Sequence, residues 1–331
     1  MKSEIDPIWN SLESDDSVNN KGFFLRRLHS LGLHIGMDRE KNQKILLLEI
    51  EDIENIKLNT LPGWHGVLPD TVCLTPEKNA LVLKLIDSKN IDIFNALIKD
   101  FDDSLAVAHN SGQALSLFID CLYKWQMFFE KYGNCGLADK AQRGLLGELY
   151  FLKQYILPLR NSAEGMGYWK GHSGQYQDFS FPHGNVEVKT SVKKEPVSVI
   201  ISSEKQLDDK GLEALYLYCL LLTCSANNGY TLPDIVKQIR ENIGSSDYTL
   251  KLFNDYLKQA GYIDEHEKYY ADRFYIINEE YFYKINEKFP RIISLPEGVG
   301  DITYSVLLAS CKDFEADINS EIINLCREDK Q

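Results

Sequence analysis

The sequence has no paired-cysteine motif and no apolar run of membrane-spanning length. Its seven cysteines are scattered without a CxxC pair, which argues against a disulfide framework or a zinc knuckle. The longest apolar stretch, residues 214–226, is shorter than the ~20 residues that a bilayer requires. The first six residues include acids, where a secretory signal would need an apolar run. These absences predict a cytoplasmic protein that does not act at a membrane.

Basic residues are also scarce. The chain has 49 Asp and Glu against 36 Lys and Arg, which leaves a formal net charge of −13. Such a chain is poorly suited to coat nucleic acid, although basic groups could still be concentrated in one cleft. The motifs GxSxG and HExxH are absent, and Val188 stands where a phosphate-binding loop would need its second glycine. The sequence therefore gives no support for a serine hydrolase, a zinc protease or a nucleotide-binding loop.

The length and composition are those of a globular protein. A chain of 331 residues with 44 % hydrophobic residues can form about two domains and a large core. Short apolar runs separated by turn-rich stretches predict a β-rich N-terminal domain over residues 1–110. In residues 115–129, apolar residues recur at steps of three and four, which predicts an amphipathic helix that bridges the domains. This helix and a catalytic core are predicted to occupy residues 111–225.

Residues 226–331 are predicted to form a C-terminal α+β lobe. Two helices are expected at 232–243 and 248–260, followed by two strand-like segments at 273–277 and 281–285. Two helices followed by a two-stranded ribbon outline a winged-helix module. The charges on the second helix cancel, however, whereas a DNA-reading helix should be basic. The pattern thus favours a packing or partner-binding lobe over a DNA reader.

A hairpin is predicted between these regions. Polar and apolar residues alternate in 177–181 and in 185–192, as expected of half-buried strands. Residues 182–185 have the composition of a turn that can close the two strands. Val186, Val188, Thr190 and Val192 are expected to share the core face of the second strand.

The polar face of this hairpin carries candidate metal ligands. If Phe181 pairs with Val186, then Asp178 lies opposite Lys189. Asp178 and Glu187 become diagonal neighbours, roughly 7–8 Å apart at the backbone. Two carboxylates at this spacing can converge on one Mg²⁺ ion, which prefers oxygen ligands. The amine of Lys189 could orient a water molecule and stabilise charge on a phosphate.

A third acid precedes the hairpin on a predicted helix over residues 137–156. Glu148 lies on the flank of the apolar stripe of this helix. A carboxylate there costs several kcal/mol unless it is paired or bound to metal. Ala141 and Gly144 lie beside Glu148 on the helix and are small enough for another element to approach closely. The apolar stripe consists of Leu145, Leu149, Leu152 and Ile156.

These charges also have a purely structural interpretation. The hairpin could be an ordinary amphipathic one whose charges pair across the strands, because an E-x-K pattern on a strand is common. Glu148 could extend its carboxylate to water or pair with Arg143 or Lys153. In that case the protein would be purely structural. The order of an acid on a helix followed by D and E-x-K on two strands is, however, rarely supplied by chance.

Several of these segments together resemble a bacterial family assigned to the PD-(D/E)XK (restriction-endonuclease-like) nuclease superfamily. The resemblance is sharpest over residues 137–210 and extends weakly over most of the chain. It implies an α/β fold, with a restriction-endonuclease-like mixed sheet flanked by helices. The segments that carry the resemblance are 144–152, Trp169, 178–179, 187–190, 201–203 and 206–207.

The resemblance also implies a catalytic set. Asp178 and Glu187 would be metal ligands and Lys189 would be the catalytic lysine. Glu148 would add a ligand or hold a water molecule, and Val188 would complete the implied metal-binding set. The implied cofactor is Mg²⁺, replaceable by Mn²⁺, and the implied reaction is metal-assisted hydrolysis of a phosphodiester.

Further residues are candidates for substrate binding. By resemblance, Gln206 would contact the substrate or a water molecule. Lys170, Lys193 and Lys194 give residues 168–194 a local excess of positive charge, which suits a phosphate backbone. One departure from the superfamily pattern is Gln177, which stands where the superfamily name has proline.

The sequence therefore predicts a Mg²⁺-dependent DNA endonuclease, as a subunit of a bacterial restriction or phage-defence system. Families of this kind often act beside an ATPase, a helicase-like protein or a methyltransferase, so a partner subunit or a homodimer is expected. The alternative is a non-cleaving DNA-binding or scaffold subunit that keeps the nuclease fold for assembly. The low positive charge of the chain leaves room for this alternative.

Overall fold

The chain folds into a mixed α/β structure with two compact units, Met1–Asn134 and Cys135–Gln331. The computed structural model describes residues 5–14, 22–50, 61, 63, 66–75, 78–133, 136–192 and 195–327. The division falls at residue 134, whereas the sequence predicts boundaries at residues 110 and 225.

The first unit is built on a five-stranded antiparallel sheet with strand order β1-β2-β3-β5-β4. Strands β3 and β5 form its centre, and their apolar runs are buried on both faces. The helix predicted as a bridge is α3, which packs on α2 and β3 of this unit. The elements are α1 (Asp6–Ser14), β1 (Phe23–His29), β2 (Leu33–Asp38), β3 (Gln43–Ile50), β4 (Val67–Thr75), β5 (Lys78–Leu85), α2 (Ile91–Leu105) and α3 (Ser111–Tyr132).

The second unit contains a four-stranded mixed sheet and a two-stranded sheet. The strand order of the larger sheet is β10-β9-β7-β6, with β7 and β9 parallel and the other pairs antiparallel. Strands β8 and β11 form the smaller antiparallel sheet. The elements are α4 (Asp139–Phe151), α5 (Ser162–Tyr168), β6 (Phe179–Phe181), β7 (Gly184–Val192), β8 (Ser198–Ile201), β9 (Leu215–Ser225), α6 (Leu232–Ile243), α7 (Asp247–Gln259), β10 (Phe274–Lys284), β11 (Tyr304–Leu307) and α8 (Ile318–Leu325).

The helix that carries Glu148 packs directly on β7. Helix α4 continues into a π-helical turn at Leu152–Ile156, and the predicted apolar stripe is buried. A Cβ atom on Gly147 would overlap Cγ2 of Thr190 and lie 3.5 Å from Cγ1 of Val188. A Cβ atom on Gly144 would meet no described residue outside its own helix within 4 Å, so the expectation that Gly144 allows a close approach is wrong. The glycine one turn later has that role, because it faces β7.

The predicted winged-helix ribbon does not form. Residues 274–284 are one continuous strand, β10, whose register against β9 shifts only between Ile277 and Glu279. A single strand forms because the long apolar strand β9 offers a full edge for pairing, and pairing satisfies the backbone groups of both. Helix α6 packs on α4, and α7 packs on α5 and on the turn Gly171–Ser173. The predicted C-terminal lobe therefore completes the sheet of the predicted core.

The register of the hairpin also differs from the prediction. Phe179, rather than Phe181, pairs with Val186, and Phe181 pairs with Gly184. The loop is thus only two residues long, Pro182 and His183. Gly184 has a φ of 141°, which a side chain rarely adopts, so β7 can begin one residue earlier than predicted.

The contact between α4 and β7 can be tested with a matched pair of glycine substitutions. Gly147→Ala should destabilise the protein by about 1–3 kcal/mol, since the added methyl group overpacks the interface with Thr190. Gly144→Ala, on the same helix but in open space, should be stabilising by about 0.5–1 kcal/mol. Urea unfolding of both variants measures the difference, and equal effects would contradict the packing described here.

Candidate functional site

Asp178 is held immediately before β6 by backbone hydrogen bonds on both sides. Its carbonyl oxygen accepts hydrogen bonds from the N–H groups of Lys170 (2.7 Å) and Gly171 (3.0 Å). Its carboxylate oxygen Oδ2 accepts a hydrogen bond from the N–H of Val188 on β7 (2.8 Å). The shortened loop of the hairpin brings Asp178 level with this part of β7. The carboxyl group is therefore fixed between a neighbouring chain segment and the second strand.

Glu187 and Lys189 share one face of β7 and form an ion pair with each other. Glu187 is 0 % exposed, and the Lys189 side chain is 15 % exposed. Leu217 and Cys219 pair with Glu187 and Lys189 on the neighbouring strand β9, and both belong to a buried apolar cluster of this sheet. The charges are therefore not the solvated outer face of a simple hairpin.

Glu148 reaches the same region from α4. Its Oε2 accepts a hydrogen bond of 2.8 Å from the indole N–H of Trp169. A Cβ atom on Gly171 would overlap this oxygen and would lie 3.1 Å from Oδ1 of Asp178. The Glu148 and Asp178 carboxylates thus both lie against the backbone of Gly171. We refer to Glu148, Asp178, Glu187 and Lys189 as the carboxylate site.

The four groups of the carboxylate site perturb one another's ionisation. Burial and repulsion from Asp178 raise the pKa of Glu148 to about 8, and burial raises the pKa of Asp178. Burial and repulsion from Asp178 also raise the pKa of Glu187 well above its usual range. Burial lowers the pKa of Lys189, but its interactions with Glu187, Asp178 and Glu148 together outweigh burial, so the pKa is raised overall. The site is therefore a cluster of three carboxyl groups whose ionisation is disfavoured by burial, beside a single ammonium group.

The substrate-binding candidates are placed differently. Lys170 lies beside Asp178 through its backbone and is half-buried. The side chain of Gln206 accepts a hydrogen bond from the N–H of Ser202 (2.8 Å), which occupies its amide oxygen. Lys193 and Lys194 lie outside the described residues. The roles of all four in substrate binding stay predictions.

Gln177, at the position of the superfamily proline, links three segments. Its amide nitrogen donates to the carbonyl oxygens of Lys205 (2.9 Å) and Gln206 (3.3 Å). Its amide oxygen accepts from the side chain of Asn185 on β7 (3.1 Å). The glutamine therefore anchors the hairpin to the turn at Glu204–Leu207, a function that proline could not perform.

Sequence reasoning missed the surroundings of Glu148. Trp169 entered only as part of a resemblance, and neither its hydrogen bond to Glu148 nor the contact of Gly171 was anticipated. The ring of His172 stacks on that of Trp169. These contacts were hard to predict, because residues 169–172 show no periodic pattern that would indicate packing against α4.

The chemistry of the carboxylate site suits a divalent cation. Carboxylate oxygens are preferred ligands of Mg²⁺ and Mn²⁺. Within the described residues, Oε2 of Glu187 is buried and has no hydrogen-bond partner, which is unfavourable for an isolated anion. That part of the chain contains no group of three or more His, Cys, Asp or Glu side chains gathered closely enough to hold a metal ion. The oxygen atoms of these residues are thus of the type that binds a divalent cation. Their arrangement does not form a complete set of metal ligands.

Comparison with protein families identifies the chain. The sequence model of the family DUF4420, described as "Putative PD-(D/E)XK family member", matches residues 5–309. The chain belongs to this family. DUF4420 membership confirms the resemblance seen in the sequence, and the mixed α/β architecture is consistent with a PD-(D/E)XK-like fold. No curated protein and no solved structure matches the chain. Among the described helices, none combines the length and hydropathy needed to cross a membrane.

The raised pKa of Glu148 predicts a pH-dependent effect of its replacement. The stability contributed by its proton is present below the ordinary pKa of 4.5 and is lost as the pH rises through about 8. Glu148→Gln removes this loss and can still accept the Trp169 hydrogen bond. Relative to the wild type, the variant should gain about 1 kcal/mol or more in the free energy of unfolding between pH 5 and pH 8.

Urea denaturation at both pH values, in the presence of a chelator, measures this gain. Glu241→Gln is the control, because Glu241 is exposed on α6. A difference between wild type and Glu148→Gln that is the same at pH 5 and pH 8 would contradict the burial of an ionisable carboxyl group here.

Proposed function

We propose that this DUF4420 protein is a metal-dependent nuclease that hydrolyses DNA phosphodiester bonds at the carboxylate site. The observation that carries the proposal is that Glu148 of α4, Asp178 before β6, and the ion pair of Glu187 and Lys189 on β7 lie near one another. Carboxylates with raised pKa values beside one another are unfavourable for folding, and such clusters are typical of functional sites. Family membership supports the same reaction class.

Each member of the site has a distinct proposed role. Asp178 and Glu187 would hold the cation, and Glu148 would add a third oxygen donor from the helix side. Val188 could contribute only its backbone carbonyl oxygen, because its side chain is apolar and an amide N–H is a donor; that N–H donates to Asp178. A divalent cation, when bound, would polarise the phosphate and make water a stronger nucleophile.

Lys189 is the residue that would meet the developing negative charge of the phosphate. Its raised pKa keeps it protonated at neutral pH, so it would act as a positive charge and hydrogen-bond donor rather than as a base. Glu187 holds the ammonium group by an ion pair along the strand. Burial strengthens this electrostatic effect, because the surroundings screen charge less than water does.

DNA is the proposed substrate, and a restriction or phage-defence system is the proposed setting. Both proposals come from the resemblance to PD-(D/E)XK proteins, as do an ATPase, helicase-like or methyltransferase partner and a homodimer. The net charge of −13 predicts weak binding of DNA by the chain alone. A partner subunit that contributes positive surface would compensate for this.

A second candidate function is a non-cleaving subunit that retains the fold for assembly. The specific observation in its favour is that the acids already have protein partners, Lys189 for Glu187 and the Val188 N–H for Asp178. Such partners could stabilise the fold without a cation.

A cleavage assay separates the two candidates. Purified full-length protein is incubated with supercoiled and linear DNA in Mg²⁺, Mn²⁺ or a chelator. We expect metal-dependent nicking that Asp178→Ala, Glu187→Ala and Lys189→Ala each reduce by at least 100-fold, about 3 kcal/mol in activation free energy. Lys237→Ala and Glu241→Ala, at exposed positions of α6, are controls that should cleave normally.

Cleavage that survives all three substitutions would reject the carboxylate site as the catalytic centre. Absence of cleavage by the chain, both alone and with proteins that co-purify with it, would favour the assembly role. Circular dichroism of each variant confirms that a loss of activity is not a loss of folding.

A further inference from the structure

The side chain that orients Glu148 is Trp169, which comes from outside both α4 and the hairpin. The indole N–H lies 2.8 Å from Oε2 of Glu148, and Trp169 is 0 % exposed. A backbone bridge between Trp169 and Phe179 fixes this tryptophan to the edge strand β6. The hydrogen bond therefore joins α4 to the sheet at the point where Asp178 begins the hairpin.

A layer of aromatic rings holds the indole in place. The ring of His172 stacks on that of Trp169, with centroids 5.2 Å apart and an interplanar angle of 13°. Tyr256 of α7 contacts His172 edge-on, with centroids 3.8 Å apart, and lies 6.2 Å from the indole. Phe253 of the same helix lies 6.4 Å from the indole. Two aromatic rings of helix α7 thus pack near the tryptophan.

The Glu148 carboxylate has little freedom between these groups. Gly171 also lies against this carboxylate, so close that even a methyl group there would overlap Oε2. An indole N–H can donate a hydrogen bond but cannot accept one, so it favours an oxygen acceptor at this position. A carboxylate fixed in this way does not need to be ordered when it binds a cation, and the free energy of binding is more favourable for that reason.

We propose that Trp169, backed by His172 and by Tyr256 of α7, is a positioning residue that fixes the Glu148 carboxylate beside Asp178 for a divalent cation. The role of Glu148 here is the one given to it in the proposed function. Trp169 does not contact the reacting atoms. It acts through Glu148, as outer-shell hydrogen-bond partners do in metal sites.

The test is a titration of the full-length protein with Mn²⁺ by isothermal calorimetry. Trp169→Phe keeps an aromatic ring in the stack and removes only the N–H donor. We expect its affinity for Mn²⁺ to be 10- to 100-fold weaker, the usual effect of removing such a partner. Trp125→Phe is the matched control, because Trp125 is a buried residue of α3 whose indole donates to Asp100 at 2.8 Å. That variant should bind Mn²⁺ as the wild type does.

A double-mutant cycle separates positioning from general stability. If Trp169 acts through Glu148, then Trp169→Phe should have no further effect on Mn²⁺ affinity in a Glu148→Gln background. Tyr256→Leu is a second variant that leaves the indole in place, and it should weaken binding less than Trp169→Phe. Thermal unfolding of each variant shows which ones are folded.

The outcomes distinguish this proposal from the proposed function. Wild-type binding of Mn²⁺ that Asp178→Ala abolishes, together with unchanged affinity in folded Trp169→Phe, would overturn only the positioning role. The positioning role would also be overturned if Trp169→Phe reduced the affinity for Mn²⁺ equally in the wild type and in the Glu148→Gln variant. If Trp169→Phe does not fold, unchanged affinity in Tyr256→Leu has the same consequence. No binding of Mn²⁺ to the wild type would instead overturn the cation role in the proposed function.

Discussion

The structure of the second unit depends on placing three carboxyl groups where water is largely excluded. Glu187 is sealed within the sheet and is balanced by Lys189 on the same strand. Asp178 and Glu148 add two further carboxyl groups close to Glu187, so the fold must supply hydrogen-bond donors to hold them. The Val188 N–H and the Trp169 indole meet this need. The Val188 N–H comes from β7, and the Trp169 indole comes from the segment between α4 and β6.

The close packing of α4 on β7 is the second requirement. Gly147 allows the helix to lie against Thr190, and the next residue, Glu148, is thereby brought to the hairpin. Gly147 thus sets the distance between α4 and β7, and the next residue, Glu148, carries the carboxyl group. A larger side chain at Gly147 would move the acid as well as the helix.

Local periodicity predicted most elements of the second unit but not how they assemble. The apolar stripe of α4, the strands of the hairpin and the limits of α6 follow from the spacing of residues 145–156, 177–192 and 232–243. The predicted hairpin register was wrong by two residues. The true register depends on the φ of Gly184, whereas the prediction used only the alternation of polar and apolar residues. The prediction of a two-stranded ribbon was wrong, because β10 (Phe274–Lys284) pairs with the distant strand β9 (Leu215–Ser225). Pairing between segments so far apart in the chain leaves no local sequence pattern. Glu148, Asp178, Glu187 and Lys189 could be predicted from the sequence as candidates, and their role as a site stays a prediction. Trp169 and Gly171 could be recognised as neighbours of Glu148 only in three dimensions.

The pairing of β9 with β10 has a consequence for the chain as a whole. Strand β9 is apolar and buried along Leu215–Leu222, and β10 covers one of its two edges. A fragment that ends after β9 would expose that edge over its full length, with unpaired N–H and C=O groups flanked by leucines and tyrosines. Edges of this kind recruit other strands and lead to aggregation. The C-terminal third therefore covers an edge of β9 in the larger sheet of the second unit and disfavours self-association there. A fragment that carries the acids but ends after β9 should not persist on its own.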